Sequence, residues 1–128
     1  MTEIEVYREL MQDPKAVFVF GSNLGGHHGA GAAREAFLHY GAKTGFGYGP
    51  MGRSYAIPTK SIRMTVRPLH NIAEDVDIFL SYAAVHTDRT FVVTRIGCGL
   101  AGYRNEDIAP MFKNVPDNVI LPSVWTDP

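Results

Sequence analysis

The feature that most constrains this chain is a glycine-rich segment between an apolar run and an alanine-rich run. Residues 17–37, VFVFGSNLGGHHGAGAAREAF, contain five glycines and two adjacent histidines. Glycine loses more backbone freedom on folding than any other residue, so such a cluster indicates a backbone that turns sharply or touches something closely. The apolar Val17–Phe20 predicts a buried strand, and the alanine-rich Ala30–Tyr40 predicts a helix.

A strand that leads through glycines into a helix is a common phosphate-binding arrangement, because free backbone N–H groups and the helix dipole converge there. The alternative is a tight turn that lets the helix pack closely. A second glycine-rich segment, GCGLAGY at Gly97–Tyr103, follows another predicted strand. Ligands of parallel sheets bind outside the carboxyl ends of the strands. We therefore expect both segments to flank one crevice that suits a diphosphate group.

The rest of the chain alternates between predicted helices and strands. The further predicted elements are a short helix within residues 2–11, a strand at Ser54–Pro58, a helix from an N-cap at Asn71 to His86, a strand at Thr90–Ile96, a short helix near Asn105–Phe112 and a strand at 118–122. Residues 41–53 hold five glycines and predict a loop with at most extended pieces. Apolar strands that alternate with helices predict an α/β fold with a mostly parallel sheet, and the 128 residues fit one domain, 1–128.

Charge and cysteine content exclude several classes of protein. Twelve basic and 13 acidic residues give a net charge of −1, so no global basic field draws in nucleic acid. The single cysteine, Cys98, cannot form an internal disulfide, which fits a reducing cytoplasm. The N-terminus lacks an apolar signal region and no run reaches membrane-spanning length, so we expect a soluble cytoplasmic domain without a membrane partner. The oligomeric state stays open.

Three stretches together resemble the macro domain family, which binds ADP-ribose and related molecules. Residues 17–36 are similar to its first signature, a strand ending in Asn before a glycine-rich loop that opens a helix. AKTG at 42–45, followed by YAIPTK at 55–60, looks like the middle of the family. VVTRIGCGLAGY at 92–103 resembles its second signature, a phosphate loop with an aromatic residue. The resemblance runs in order over about residues 16–122 and implies a compact, divergent, three-layer α/β/α macro-like domain of the bacterial or phage type.

The resemblance also implies roles for single residues. Asn23 matches the ribose-binding and sometimes catalytic Asn of the family, Tyr103 matches the aromatic residue at the distal ribose, and Asp13 is a candidate by position for the adenine-binding Asp. The first loop departs from the family with GGHHGAG in place of a plain glycine triplet. The residues predicted to bind the ligand are Gly21, Ser22, Asn23, Gly25, Gly26, Gly29, Gly31, Gly97, Cys98, Gly99, Leu100, Ala101, Gly102 and Tyr103.

The predicted catalytic residues are Asn23, His27 and His28. A loop histidine beside a phosphate site would act as general acid or base near neutral pH, and neighbours point apart, so at most one faces the ligand. The alternatives are a turn cap for Asn23 and solvated loop histidines. The pair lacks metal-ligand spacing, so no metal and no cofactor is predicted. Cys98 is either a nucleophile or a small packed residue.

Two features stand outside the glycine-rich segments. Lys60, Arg63 and Arg67 form a basic stretch, interpreted as a solvated loop or as a rim that attracts anionic ligands. Trp125 is interpreted as a lid over an apolar surface.

The function implied by the resemblance is binding of ADP-ribose or a derivative between the two glycine-rich loops. Hydrolysis at the distal ribose would make the chain an ADP-ribosyl-hydrolase or an ADP-ribose 1″-phosphate phosphatase, and the expected partner is ADP-ribose or an ADP-ribosylated macromolecule. Two alternatives are a non-catalytic module that binds or sequesters a nucleotide signal, and a Rossmann-like nucleotide-processing enzyme unrelated to ADP-ribose.

Overall fold

The computed structural model describes residues 1–126, so the last two residues of the predicted domain, 127 and 128, lie outside the described part. Helices and strands alternate along the chain. The helices are α1 (Glu3–Leu10), α2 (Gly31–His39), α3 (Leu69–Val85), α4 (Asn105–Ile108), which continues into a 3₁₀ turn (Ala109–Phe112), and α5 (Ser123–Thr126). The strands are β1 (Ala16–Asn23), β2 (Gly49–Met51), β3 (Ser54–Lys60), β4 (Thr90–Val93) and β5 (Val119–Ile120).

The five strands form one mostly parallel sheet in the order β2-β3-β1-β4-β5. Strand β1 lies between β3 and β4 and is parallel to both, and β5 is parallel to β4. Among the strands of residues 1–126, the edge strand β2 alone runs antiparallel, next to β3. The predicted α/β class is confirmed, and the antiparallel edge strand lies inside residues 41–53, for which the sequence predicts a loop with at most extended pieces.

The sheet has a hydrophobic core on each face because successive side chains of a strand point to opposite sides. Val17 and Val19 of β1 pack with α3, α4 and the 3₁₀ turn. Phe18 and Phe20 pack on the other side with α1 and α2. All four side chains are buried. Helices thus cover both faces, an arrangement compatible with three α/β/α layers. Within residues 1–126, no helix is both long and apolar enough to cross a membrane.

The strand boundaries at the carboxyl edge differ from the predicted ones. Strand β1 continues past Phe20 to Asn23, because β3 also extends to Lys60 and pairs with it, with a bulge after Ser22. Strand β4 ends at Val93 instead of Ile96. There the Thr94 hydroxyl donates to the Val19 carbonyl at 2.8 Å, and the chain turns away from the sheet.

Helix α3 begins at Leu69, two residues before the predicted N-cap at Asn71. Its N-cap is Pro68, whose backbone is extended. Proline is tolerated at a helix start because its missing N–H is not needed there. Asn71 lies in the first turn, and its backbone N–H bonds the Pro68 carbonyl at 3.1 Å.

Candidate functional site

A cavity of about 490 Å³, here called the first cavity, opens at the carboxyl edge of β3, β1 and β4. These strands end side by side because they are parallel neighbours. The start of α2 and the segment after β4 complete the walls. The predicted site residues that line it are Gly21, Ser22, Asn23, His27, Gly29, Gly31, Gly97, Gly99, Leu100 and Ala101. The structure therefore brings the two glycine-rich segments together at one cavity.

Asn23 shapes the wall of the first cavity through its side-chain amide. Its Oδ1 accepts a hydrogen bond from the His27 backbone N–H at 2.9 Å, and its Nδ2 donates to the His27 carbonyl at 2.8 Å. This closed pair of bonds fixes the turn that follows β1 and sets the place of the His27 side chain. One Nδ2 hydrogen and one Oδ1 lone pair remain for a ligand.

The two histidines have different surroundings. His27 lines the first cavity, whereas His28 is buried and faces the protein interior. His28 Nε2 lies 2.9 Å from the Lys43 carbonyl and 3.1 Å from the Phe46 carbonyl, which places its proton on Nε2. The ring also meets Phe20 edge-on at 5.5 Å between centroids. His28 therefore ties the first loop to residues 43–46 and does not reach the cavity.

Several predicted residues support the site from behind instead of lining it. Gly25, Gly26, Gly102 and Tyr103 line neither the first cavity nor a second cavity that adjoins it. Gly26 has a φ of 70°, and a side chain there would overlap the backbone of the loop at residues 45–46. The Tyr103 hydroxyl donates to the Arg67 carbonyl at 2.7 Å and anchors the second glycine-rich segment.

Asp13, the positional candidate for an adenine contact, lies at neither cavity. Its carboxylate accepts a hydrogen bond from the Lys15 backbone N–H at 2.9 Å, which stabilises the turn before β1. The carboxylates that line one of the two cavities are those of Glu3 and Glu35. Sequence reasoning missed Glu3 because α1 carries no motif.

The charged side chains of the first cavity are both cationic. Lys60 ends β3 and Arg95 follows β4, and among residues 1–126 no Asp or Glu lines this cavity. Arg95 is held from two sides, since its Nε donates to Asn105 Oδ1 at 3.0 Å and its Nη1 lies 3.7 Å from Glu3. Trp125 Nε1 donates to the same Asn105 oxygen at 2.8 Å. The arrangement favours anionic ligands.

A second cavity of about 570 Å³ adjoins the first. The two share Gly31, Ala32, Thr94, Arg95 and Gly99, so one elongated ligand can occupy both. The remaining lining residues of the second cavity come from α1, α2 and the loop after β4, and they are Glu3, Ile4, Tyr7, Arg8, Arg34, Glu35, Leu38, His39 and Cys98.

Paired polar groups hold the walls of the second cavity. The Tyr7 hydroxyl donates to Glu3 at 2.8 Å, and burial raises the pKa of Tyr7 far above its ordinary value. Arg8 makes two hydrogen bonds to Glu35, at 2.8 and 3.0 Å, and thereby lowers the pKa of the Glu35 carboxyl. The Tyr7–Glu3 hydrogen bond lies within α1, and the Arg8–Glu35 pair joins α1 to α2.

Cys98 lies in the second cavity, but its surroundings do not activate it. Burial raises the pKa of its thiol, which keeps the sulfur protonated near neutral pH. Arg95 opposes this effect to a smaller degree. In the described part of the chain, no three His, Cys, Asp or Glu side chains come together as a metal site.

Comparisons with known proteins found no match: no protein-family model, curated protein or solved structure matches the chain.

Proposed function

We propose that this chain binds ADP-ribose, or a derivative of it, across the two cavities. The main support for ligand binding comes from Gly29 and Gly99, which lie in the walls of the first cavity. Neither has a positive φ, and a Cβ at either position would meet nothing within 4 Å. The fold therefore does not itself require glycine at these positions. A ligand whose phosphates lie against the backbone does require it, because a side chain would occupy that space.

The charges support a phosphate-bearing ligand. Lys60 and Arg95 are the charged side chains of the first cavity, and the backbone N–H groups of its glycine-rich walls add donors without side chains. The diphosphate would lie at the junction of the cavities, beside Arg95 and Gly99. Oxyanions are bound by such combinations of backbone donors and arginine.

The second cavity suits the nucleoside half of the ligand. Ile4 and Leu38 form an apolar part of the wall of the second cavity. The Glu3 carboxylate is an acceptor for a base amine or a ribose hydroxyl. The distal ribose would then extend to the opposite end of the first cavity, toward Asn23 and His27. This placement, with the parallel sheet and helices on both faces, is what supports a macro-like domain as the proposed fold family.

Hydrolysis at the distal ribose would rely on His27. It is the cavity's one imidazole within residues 1–126, and such a group can take a proton from an attacking water near neutral pH. Asn23 would position it through the backbone bonds described above. Without turnover, the same geometry serves a binding module.

Calorimetric titration with ADP-ribose, AMP and NAD tests the proposal. ADP-ribose should bind at least about tenfold more tightly than AMP, because AMP fills one cavity and lacks the diphosphate bridge to the other. AMP binding as tightly as ADP-ribose would favour a mononucleotide-processing enzyme instead. Release of ADP-ribose from a modified protein by the wild type, and its loss in His27→Ala, would separate an enzyme from a binding module.

A further inference from the structure

We infer that Asn105 is a positioning residue for Arg95, which it holds at the junction of the two cavities together with Trp125. Arg95 lines both cavities, whereas Asn105 and Trp125 line neither of them. These two residues therefore act on the ligand through the guanidinium group. The inference rests on the proposed ADP-ribose function and adds to it a connection between the diphosphate and the C-terminal helix α5.

Arg95 needs support to meet a diphosphate in one fixed orientation. Its side chain is 35% exposed, and a long arginine side chain loses rotamer freedom when a ligand immobilises it. The Glu3 carboxylate gives little support, because it lies 3.7 Å from Nη1, beyond hydrogen-bond distance, and is itself half exposed. Glu3 also accepts a hydrogen bond from the Tyr7 hydroxyl at 2.8 Å. A firmer contact must therefore orient the guanidinium group.

The firmer contact is the side-chain oxygen of Asn105. It accepts one hydrogen bond from Arg95 Nε at 3.0 Å and another from Trp125 Nε1 at 2.8 Å. Both donors need the amide oxygen, which has two lone pairs, so one orientation of the amide serves both. Within residues 1–126 the N–H groups on Nη1 and Nη2 of Arg95 make no hydrogen bond, and they can meet two oxygens of a diphosphate.

The backbone that carries Asn105 is fixed without its side chain. Asn105 begins α4, where the Arg104 backbone N–H donates to the Asp107 carboxylate at 2.9 Å. Trp125 of α5 packs against Phe112, with ring centroids 5.3 Å apart, and Phe112 ends the 3₁₀ turn that continues α4. The Asn105 amide thus joins α4, α5 and the segment after β4. A change of this amide should release the guanidinium group without unfolding α4.

The test is a double-mutant cycle in which calorimetry measures ADP-ribose affinity and circular dichroism checks folding. Asn105→Leu should weaken binding about five- to tenfold in the wild-type background, because the ligand must then immobilise a loose arginine. In the Arg95→Met background the same substitution should change affinity by less than about twofold, since the side chain that it positions is gone.

Trp125→Phe is a milder second variant, which keeps the test decisive if Asn105→Leu does not fold. Phenylalanine retains the ring against Phe112 and removes the N–H donor to Asn105. We expect binding about threefold weaker than in the wild type, and no such loss in the Arg95→Met background.

Asn71→Leu is the matched control. Asn71 also lies in the first turn of a helix and is partly exposed. It lines neither cavity, and within residues 1–126 its side chain makes no hydrogen bond. Its replacement should leave ADP-ribose affinity unchanged.

A proton NMR signal reports the connection to α5 directly. Trp125 is the single tryptophan of the chain, so its indole N–H gives one signal that needs no assignment. Saturation with ADP-ribose should shift this signal in the wild type, because Arg95 and the indole share the Asn105 oxygen. In Arg95→Met saturated with ADP-ribose the signal should stay where it is. A purely structural role of Asn105 would produce no shift in either protein.

The outcomes separate the inference from the function on which it rests. Equal losses from Asn105→Leu in the two backgrounds, or an indole signal that ADP-ribose does not move in the wild type, would overturn the positioning role and leave ADP-ribose binding intact. An equal shift in Arg95→Met would indicate direct contact between the ligand and Trp125, and would also overturn it. A wild type that does not bind ADP-ribose would refute both proposals.

Discussion

Asn23 shows how a single side chain can determine the shape of a cavity wall. Both ends of its amide bond the backbone of His27, four residues later. His27 then faces the cavity, while the next residue, His28, points inward to the carbonyls of Lys43 and Phe46. In this site one histidine of the first loop lines the cavity, whereas Asn23 and His28 hold the loop itself.

Replacing Asn23 by Ala should therefore affect folding as well as function. The His27 N–H and carbonyl would lose their partners in a part-buried place, so we expect a loss of about 1–3 kcal/mol in unfolding free energy and weaker ADP-ribose binding. Denaturant unfolding and calorimetry measure the two effects. Asn23→Asp is the control, because it retains the acceptor for the His27 N–H. Unchanged stability of Asn23→Ala would contradict the assigned role.

At the scale of elements, the carboxyl edge depends on two loops that interlock through glycine. The Ser22 hydroxyl donates to the Gly47 carbonyl at 2.5 Å, and His28 bonds the same loop. A Cβ on Gly47 would overlap the Asn23 carbonyl, and one on Gly26 would overlap the Phe46 N–H. Close backbone approach, without any ligand, explains these two glycines.

Gly47→Ala should destabilise the protein strongly. The overlap with the Asn23 backbone forces the two loops apart, and such overpacking typically costs about 1–3 kcal/mol in unfolding free energy, with larger losses where backbone is overlapped. Gly29→Ala provides the comparison, because its Cβ would meet open space, and its stability should change little. Thermal or urea unfolding measures the stability of both variants. Equal stability of the two would contradict the close backbone contact between the loops.

The contact between α1 and α2 predicts a dependence of stability on pH. Arg8 lowers the pKa of Glu35 below its ordinary value of 4.5, so the ion pair stabilises the folded state above that pH. This contribution is lost as the pH falls through the folded-state pKa. Glu35→Gln should therefore be less stable than the wild type at pH 7, and the difference measured by urea unfolding should shrink as the pH falls below 4.5. A difference that stays constant from pH 7 to 3 would argue against the pair.

At the scale of the whole molecule, the order of helices and strands followed from local pattern, whereas the site depended on long-range contacts. The apolar run at Val17–Phe20 and the helical spacing from Ile72 to Ala83 were enough to predict β1 and α3. The strand β2 was missed because it has three residues, one of them proline. His27 and His28 could not be told apart, since the partners of His28 lie 15 and 18 residues away.

The part of the site formed by α1 was also beyond prediction. Glu3 and Ile4 meet the segment around Gly99 only because α1 and the loop after β4 come together in the fold. Lys60 and Arg95 carried a usable signal, because each lies within about two residues of the end of a predicted strand, where parallel sheets bind ligands.

Binding of ADP-ribose across the junction of the two cavities is tested most directly by calorimetric titration of ADP-ribose into the wild type and Gly99→Val. Gly99 lines both cavities, has no positive φ and faces open space, so valine should be accepted by the fold while it blocks their junction. We expect the wild type to bind ADP-ribose and Gly99→Val, shown to be folded by circular dichroism and thermal unfolding, not to bind it. A folded Gly99→Val that binds ADP-ribose as tightly as the wild type would contradict this expectation.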